Sequence, residues 1–144
     1  EEIEGVAELS ALVDDIGDFP AGYETIVGER GITLSGGQRQ RTTLARALLY
    51  DPTILLLDDA FSSVDTETEE KILRSFKPAV EGRTHIVVSH RISTVKDADL
   101  IIVLDEGRVV EKGTHDELLR RDGLYAAMCK RQAILEEIEA EGGP

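Results

Sequence analysis

The amino-acid sequence predicts a layered α/β fold, and three observations carry that expectation. "TILLLDD" (Thr53 to Asp59) and "THIVVSH" (Thr84 to His90) are apolar runs without helical period. A segment of helical period lies between them. A third run, "DLIIVLD" (Asp99 to Asp105), is followed across Glu106-Gly107 by "RVVEKG", the pattern of a hairpin. Ile54 to Leu57 are consecutive aliphatics, as in a strand covered on both faces of a parallel sheet. Burying such a side chain stabilises by roughly 1.5–3 kcal/mol. Strands alternating with helices give layered α/β architectures.

The elements follow in order. Ile3, Val6, Leu9, Val13 and Ile16 recur at helical spacing and predict one amphipathic helix that stops near Gly17 and Pro20. "FPAGYETIVGERG" is rich in glycine, lacks periodicity and reads as a connector. A second helix starts at Ser35, where Ser35-x-x-Gln38 has the form of a capping box. On it, Leu44, Ala47 and Leu48 share one side, and Arg39, Thr43 and Arg46 the other. Asp51-Pro52 ends it, because proline disfavours a helical predecessor. Thr66-x-x-Glu69 suggests another box before a helix carrying Ile72, Phe76 and Val80, which Pro78 should kink or end. Thr114-x-x-Glu117 caps "HDELLRR". Leu124, Met128, Leu135 and Ile138 mark the stripe of a last helix, whose acidic end past Ile134 reads as solvated in preference to a dimer contact.

Bulk properties narrow the function. The chain has 144 residues, enough for one domain with a core. Its net charge is −13, from 29 acids against 16 bases, which argues against a general nucleic-acid binder. Cys129 is the single cysteine, so no internal disulfide or cysteine metal site is implied, and a reducing compartment fits. No apolar run approaches the length of a membrane span.

Chemistry gathers at a helix start and two strand ends. Ser35-Gly36-Gly37-Gln38 opens a helix, and helix starts favour anions. Asp58 and Asp59 stand where the apolar strand runs out, the place at which open parallel sheets bind ligands. Two carboxylates there suit magnesium when phosphates supply its other oxygens; a solvated turn is the alternative. His90 ends the next strand, where it could serve a developing anion or simply be a surface histidine. His85 and His115 read as structural.

Taken in order, these pieces resemble the nucleotide-binding domain of ATP-binding cassette (ABC) transporters. "LSGGQRQR" (Leu34 to Arg41) is similar to the family signature, and "ILLLDD" (Ile54 to Asp59) to its Walker B strand. "SSVD" (Ser62 to Asp65) is similar to its D-loop, and "VVSHR" (Val87 to Arg91) to its histidine switch. "TIVGERG" (Thr25 to Gly31) and "VLDEGRVVEKGTHDELL" (Val103 to Leu119) resemble the exporter group. The resemblance covers nearly the whole chain. No Gly-Lys pair occurs, so the phosphate loop is missing from it.

The resemblance therefore implies the C-terminal part of a P-loop ATPase domain. Residues 1–50 are expected in the helical signature subdomain, and residues 51–144 in the ATPase core. It further implies ATP and magnesium as cofactors. Ser35, Gly36, Gly37 and Gln38 would contact nucleotide held by a second nucleotide-binding domain, identical or different. Asp58 would hold the metal, His90 would contact the terminal phosphate, and Asp65 would couple the two sites. The family usually has glutamate where Asp59 stands, which raises the expectation of slow hydrolysis there. The chain is expected at the cytoplasmic face of a membrane, attached through transmembrane domains, and inactive alone. The rival expectations are a non-transport cassette ATPase and a non-catalytic interaction module.

Overall fold

The computed structural model describes residues 1–79 and 81–141. Contacts divide the chain into two compact units, the first Glu1–Val88 and the second from Ser89 onward.

The first unit opens with two helices, α1 (Glu2–Leu9) and α2 (Val13–Asp18), where the apolar period predicted one. The break has a local cause. Buried Ser10 donates its hydroxyl back to the Val6 carbonyl at 2.8 Å, and Ala11 turns left-handed at φ 52°. The expected stripe is split as a result: Ala7 and Leu12 are buried, whereas Ile3 and Val13 are exposed. A 3₁₀ turn (Gly22–Glu24) and an isolated bridge between Val27 and Ile32 occupy the connector.

Helix α3 (Gly36–Leu49) follows, with Leu44, Ala45 and Leu48 buried and Arg39, Thr43 and Arg46 exposed, close to the sequence reading. After it, Asp51 turns left-handed at φ 50° and its N–H donates to the Leu48 carbonyl at 2.9 Å, a left-handed helix exit. Strand β1 (Ile54–Asp58) pairs in parallel with β2 (Thr84–Val88), Ile54 opposite Thr84 and Asp58 opposite Val88. Helix α4 (Thr66–Ala79) makes the crossover, with Pro78 in its last turn. Leu55 and Leu57 pack with Leu44, Leu48, Ile72 and Phe76. Val80, part of the expected α4 stripe, lies outside the described residues.

Two expectations are corrected here. Burial on β1 alternates, so one face is core while Ile54 and Leu56, each 63% exposed, form the other. Helices of this unit cover the sheet from one side only. The cap of α4 is also displaced by one residue. Asp65 accepts the Thr68 N–H at 2.8 Å, so aspartate rather than Thr66 is the capping side chain, and Glu69 is buried.

In the second unit, α5 (Ile92–Val95) precedes the hairpin β3 (Ile101–Asp105) and β4 (Arg108–Gly113). Glu106 and Gly107 both have positive φ, as a two-residue turn of the primed type requires. Helices α6 (His115–Arg121) and α7 (Leu124–Glu141) complete the unit. Ile101, Val103, Leu118 and Tyr125 form its core. The predicted α7 stripe is corrected: Tyr125 and Ala126 are buried and Cys129 half-buried, while Leu135 and Ile138 are exposed. Among the described side chains of α7, Tyr125 and Cys129 in its first turns meet that core.

Candidate functional site

The head of α3 follows from simple counting. An α-helix leaves its first four N–H groups without intrahelical partners. At α3 these belong to Ser35, Gly36, Gly37 and Gln38. The capping box uses two of them: Ser35 N–H donates to Gln38 Oε1 at 2.9 Å, and Gln38 N–H donates to Ser35 Oγ at 3.1 Å. The Gly36 and Gly37 N–H groups are the two that the box does not reach. Ser35 Oγ accepts within the cap, so its own hydrogen stays available to donate. No acidic residue lies in the first turn, so no side chain of the helix itself offsets the positive end of its dipole.

The glycines also have a reason within the chain. A Cβ on Gly37 would stand 2.8 Å from the Ser63 carbonyl oxygen, and one on Gly36 would stand 3.2 Å from Ser63 Cβ. The loop after β1 thus lies directly against the helix head. Gln40 fixes it there: Nε2 donates to Ser62 Oγ at 2.7 Å, and Oε1 accepts the Ser63 N–H at 2.8 Å. Sequence reading missed Gln40, because a glutamine on a polar helix face gives no periodic signal.

The strand-end carboxylates reach the same region. Asp58 closes β1 and is exposed; Asp59 leaves the strand at φ 47° while its N–H donates to the Val88 carbonyl at 2.9 Å. An open pocket of about 500 Å³ is lined by Gly36, Arg39, Gln40, Asp58, Asp59 and Ser63, among others. Among the described residues no three His, Cys, Asp or Glu side chains gather as a metal-binding group. One or two carboxylates nevertheless suit magnesium when phosphate oxygens complete its shell, so the residues present fit that ion.

Asp65 is exposed and engaged as the α4 cap. Its bonds from Thr68 hold the carboxyl below the usual carboxylate range. His90 belongs to the second unit and is exposed. The residues after it are fixed locally: Arg91 N–H donates to Ser89 Oγ at 3.0 Å, and Ile92 N–H donates to Gln132 Oε1 on α7 at 2.8 Å. His85 packs edge-on against Phe76 with ring centres 5.4 Å apart. His115 Nδ1 lies 2.8 Å from the Tyr125 hydroxyl. Burial and the neighbouring Cys129 push Tyr125 up to about 12.

The structure thus sets a glycine-headed helix beside a strand-end carboxylate pair on a parallel β-α-β unit. The ABC transporter family model matches residues 7–62. It is 51% identical over 92% of its length to the ATM1-type heavy metal exporter of Novosphingobium aromaticivorans. It is 49% identical over 93% of its length to the human mitochondrial potassium channel ATP-binding subunit. It spans 22% of the first relative and 18% of the second. The structure of a bacterial Atm1-family ABC exporter with ATP bound superposes with a TM-score of 0.86 at 51% identity, covering 92% of this chain and 23% of that one. The α/β expectation therefore stands, as part of an ABC ATPase domain. No described helix is long and apolar enough to cross a membrane.

Proposed function

We propose that this chain is part of the ATP-hydrolysing domain of a membrane exporter, and that its α3 head grips the terminal phosphates of ATP held by a second such domain. The observation that carries this reading is the helix start: two N–H groups outside the capping box, a serine hydroxyl able to donate, and no acid in the first turn. Each charge-assisted hydrogen bond to phosphate would contribute about 1.5–3 kcal/mol. Binding of this kind draws two domains together around ATP, and hydrolysis lets them part.

Asp58 would hold magnesium, which supplies charge neutralisation at the phosphates. Asp59 would orient the attacking water, and His90 would contact the terminal phosphate. Asp65 would couple the two sites from the cap of α4. Residues 1–50 belong to the helical signature subdomain in this reading, and 51–144 to the ATPase core. The exposed apolar face of β1 and β2, with Ile54, Leu56, Ile86 and Val88, suits a parallel sheet that the complete domain covers on both sides. The exporter names of the relatives support transport, with the ATPase at the cytoplasmic face.

Aspartate is one methylene shorter than glutamate, and placing the water in line is steeply sensitive to distance. Asp59 therefore makes its site a slow one, and Asp59→Glu should raise turnover of the complete transporter. No gain, with ATP binding intact, removes the slow-site reading. For the grip itself, ATP-dependent dimerisation of the complete protein should fall with Ser35→Ala. Closure that is unchanged by that substitution overturns the proposal.

A further inference from the structure

We propose that Asp15 is a positioning residue for the α3 head: its carboxylate clamps Gln38 and Arg41, and so holds the Ser35-Gly36-Gly37 turn in the attitude that meets phosphate. This rests on the phosphate reading of that turn.

The Gln38 amide has two tasks. Its oxygen accepts the Ser35 N–H at 2.9 Å, and its nitrogen donates to Asp15 Oδ1 at 2.7 Å. An ionised carboxylate accepts only, so Asp15 dictates which end of the amide faces it and therefore which end faces Ser35. Arg41, three residues further along α3, donates to Asp15 Oδ2 at 2.6 Å and also to the Ala11 carbonyl. The pair is largely buried, at 13% exposure for Arg41 and 20% for Asp15. Burial pushes the Asp15 carboxyl up, but the bonds from Arg41 and Gln38 and the guanidinium charge outweigh it, so Asp15 stays a carboxylate. One side chain on α2 thereby sets both the cap of α3 and the placement of its first turns. A salt bridge that merely fastened α2 to α3 would have no need of Gln38.

The test uses the complete protein with Asp15→Asn, which keeps the shape but loses the charge and the acceptor-only character. Hydrogen exchange of the Ser35 and Gln38 amides, the two bonded in the capping box, is read without nucleotide, with the α6 amides as internal control, alongside kcat and KM for ATP. Head amides should exchange about tenfold faster, with α6 unchanged. Turnover should fall about tenfold with KM nearly constant, because first capture of ATP is by the other domain. Asp15→Glu, which keeps the charge, should recover part of both. If Asp15→Asn fails to fold, Asp15→Leu with Arg41→Met removes both buried charges and still deprives Gln38 of its partner. Unchanged exchange at the head overturns the proposal whatever turnover does. Faster exchange with normal turnover also overturns it if Ser35→Ala still loses activity. If Ser35→Ala is normal as well, the phosphate reading itself has failed.

Discussion

Helices α3 and α6 begin with the same device and end up with different chemistry. Each has a reciprocal box, Ser35 with Gln38 and Thr114 with Glu117. In α6 the two bonds are 3.1 and 3.4 Å, and Asp116 and Glu117 bring acid to the first turn while Arg120 and Arg121 bring base to the last. Its dipole is compensated within the helix. In α3 the box uses a neutral glutamine, glycines fill the two positions between, and no acid is present. Capping is thus a generic solution to the orphan N–H problem. Ligand preference comes from what the first turn leaves out: charge and side-chain bulk.

The largest test of this contrast is Gly37→Ala. Helix propensity alone favours alanine by up to about 1 kcal/mol. The Ser63 carbonyl, 2.8 Å from the new Cβ, is backbone and must shift. Overpacking of this kind costs about 1–3 kcal/mol, so the melting temperature should drop and ATP-dependent closure should be lost. Asp116→Ala, at the matching position of α6, should cost no more than about 1 kcal/mol by thermal melting. A Gly37→Ala protein as stable as the parent would show that the loop yields readily.

Next comes Gln38→Glu, which gives α3 the box of α6. The new side chain still accepts from Ser35 N–H, but it cannot donate to Asp15 and places two carboxylates face to face. ATP turnover should fall by about tenfold, the equivalent of roughly 1.4 kcal/mol. Normal turnover would mean that first-turn charge does not set the preference for anions.

Acid separates the two heads again. Asp15 is held below its ordinary value of 3.8, so its contribution is complete above that value and lost as pH falls through the lower, folded one. Protection of the Ser35 and Gln38 amides, measured relative to the intrinsic exchange rate at each pH, should therefore hold through mild acid and fall only below about pH 4. A loss of protection already near pH 6 would contradict the Asp15–Arg41 pairing.

What the sequence reveals of these heads follows from range. Both boxes are local, four-residue patterns, and both form as read. The parallel pair β1–β2 and the turn at Glu106-Gly107 are equally local or rest on apolar runs. Misreadings occur where local backbone geometry or a tertiary partner decides. Ser10 and Ala11 split the first helix without disturbing its apolar period. Asp65 outcompetes Thr66 for the α4 cap because two good capping residues stand side by side, and only backbone geometry chooses. The α7 stripe fails because apolar spacing does not say how far along a helix the core extends. Gln40 on Ser62 and Ser63, and Asp15 on Gln38 and Arg41, join residues more than twenty positions apart. No single-sequence period encodes such pairs.

The smallest expected effect is the converse exchange, Glu117→Gln in α6. Glutamine can still accept the Thr114 N–H, so the cap geometry should persist. What disappears is one negative charge at the helix start, worth about 0.3–1 kcal/mol at an exposed position. Salt screens it, so the loss should shrink as ionic strength rises. Thermal melts at low and high salt check both statements. Asp116 remains, and α6 has no glycine at its first positions, so the variant should gain no affinity for inorganic phosphate. Phosphate stabilising the Glu117→Gln protein, but not the parent, would show that charge alone distinguishes the two heads and that the glycines of α3 serve only the contact with Ser63.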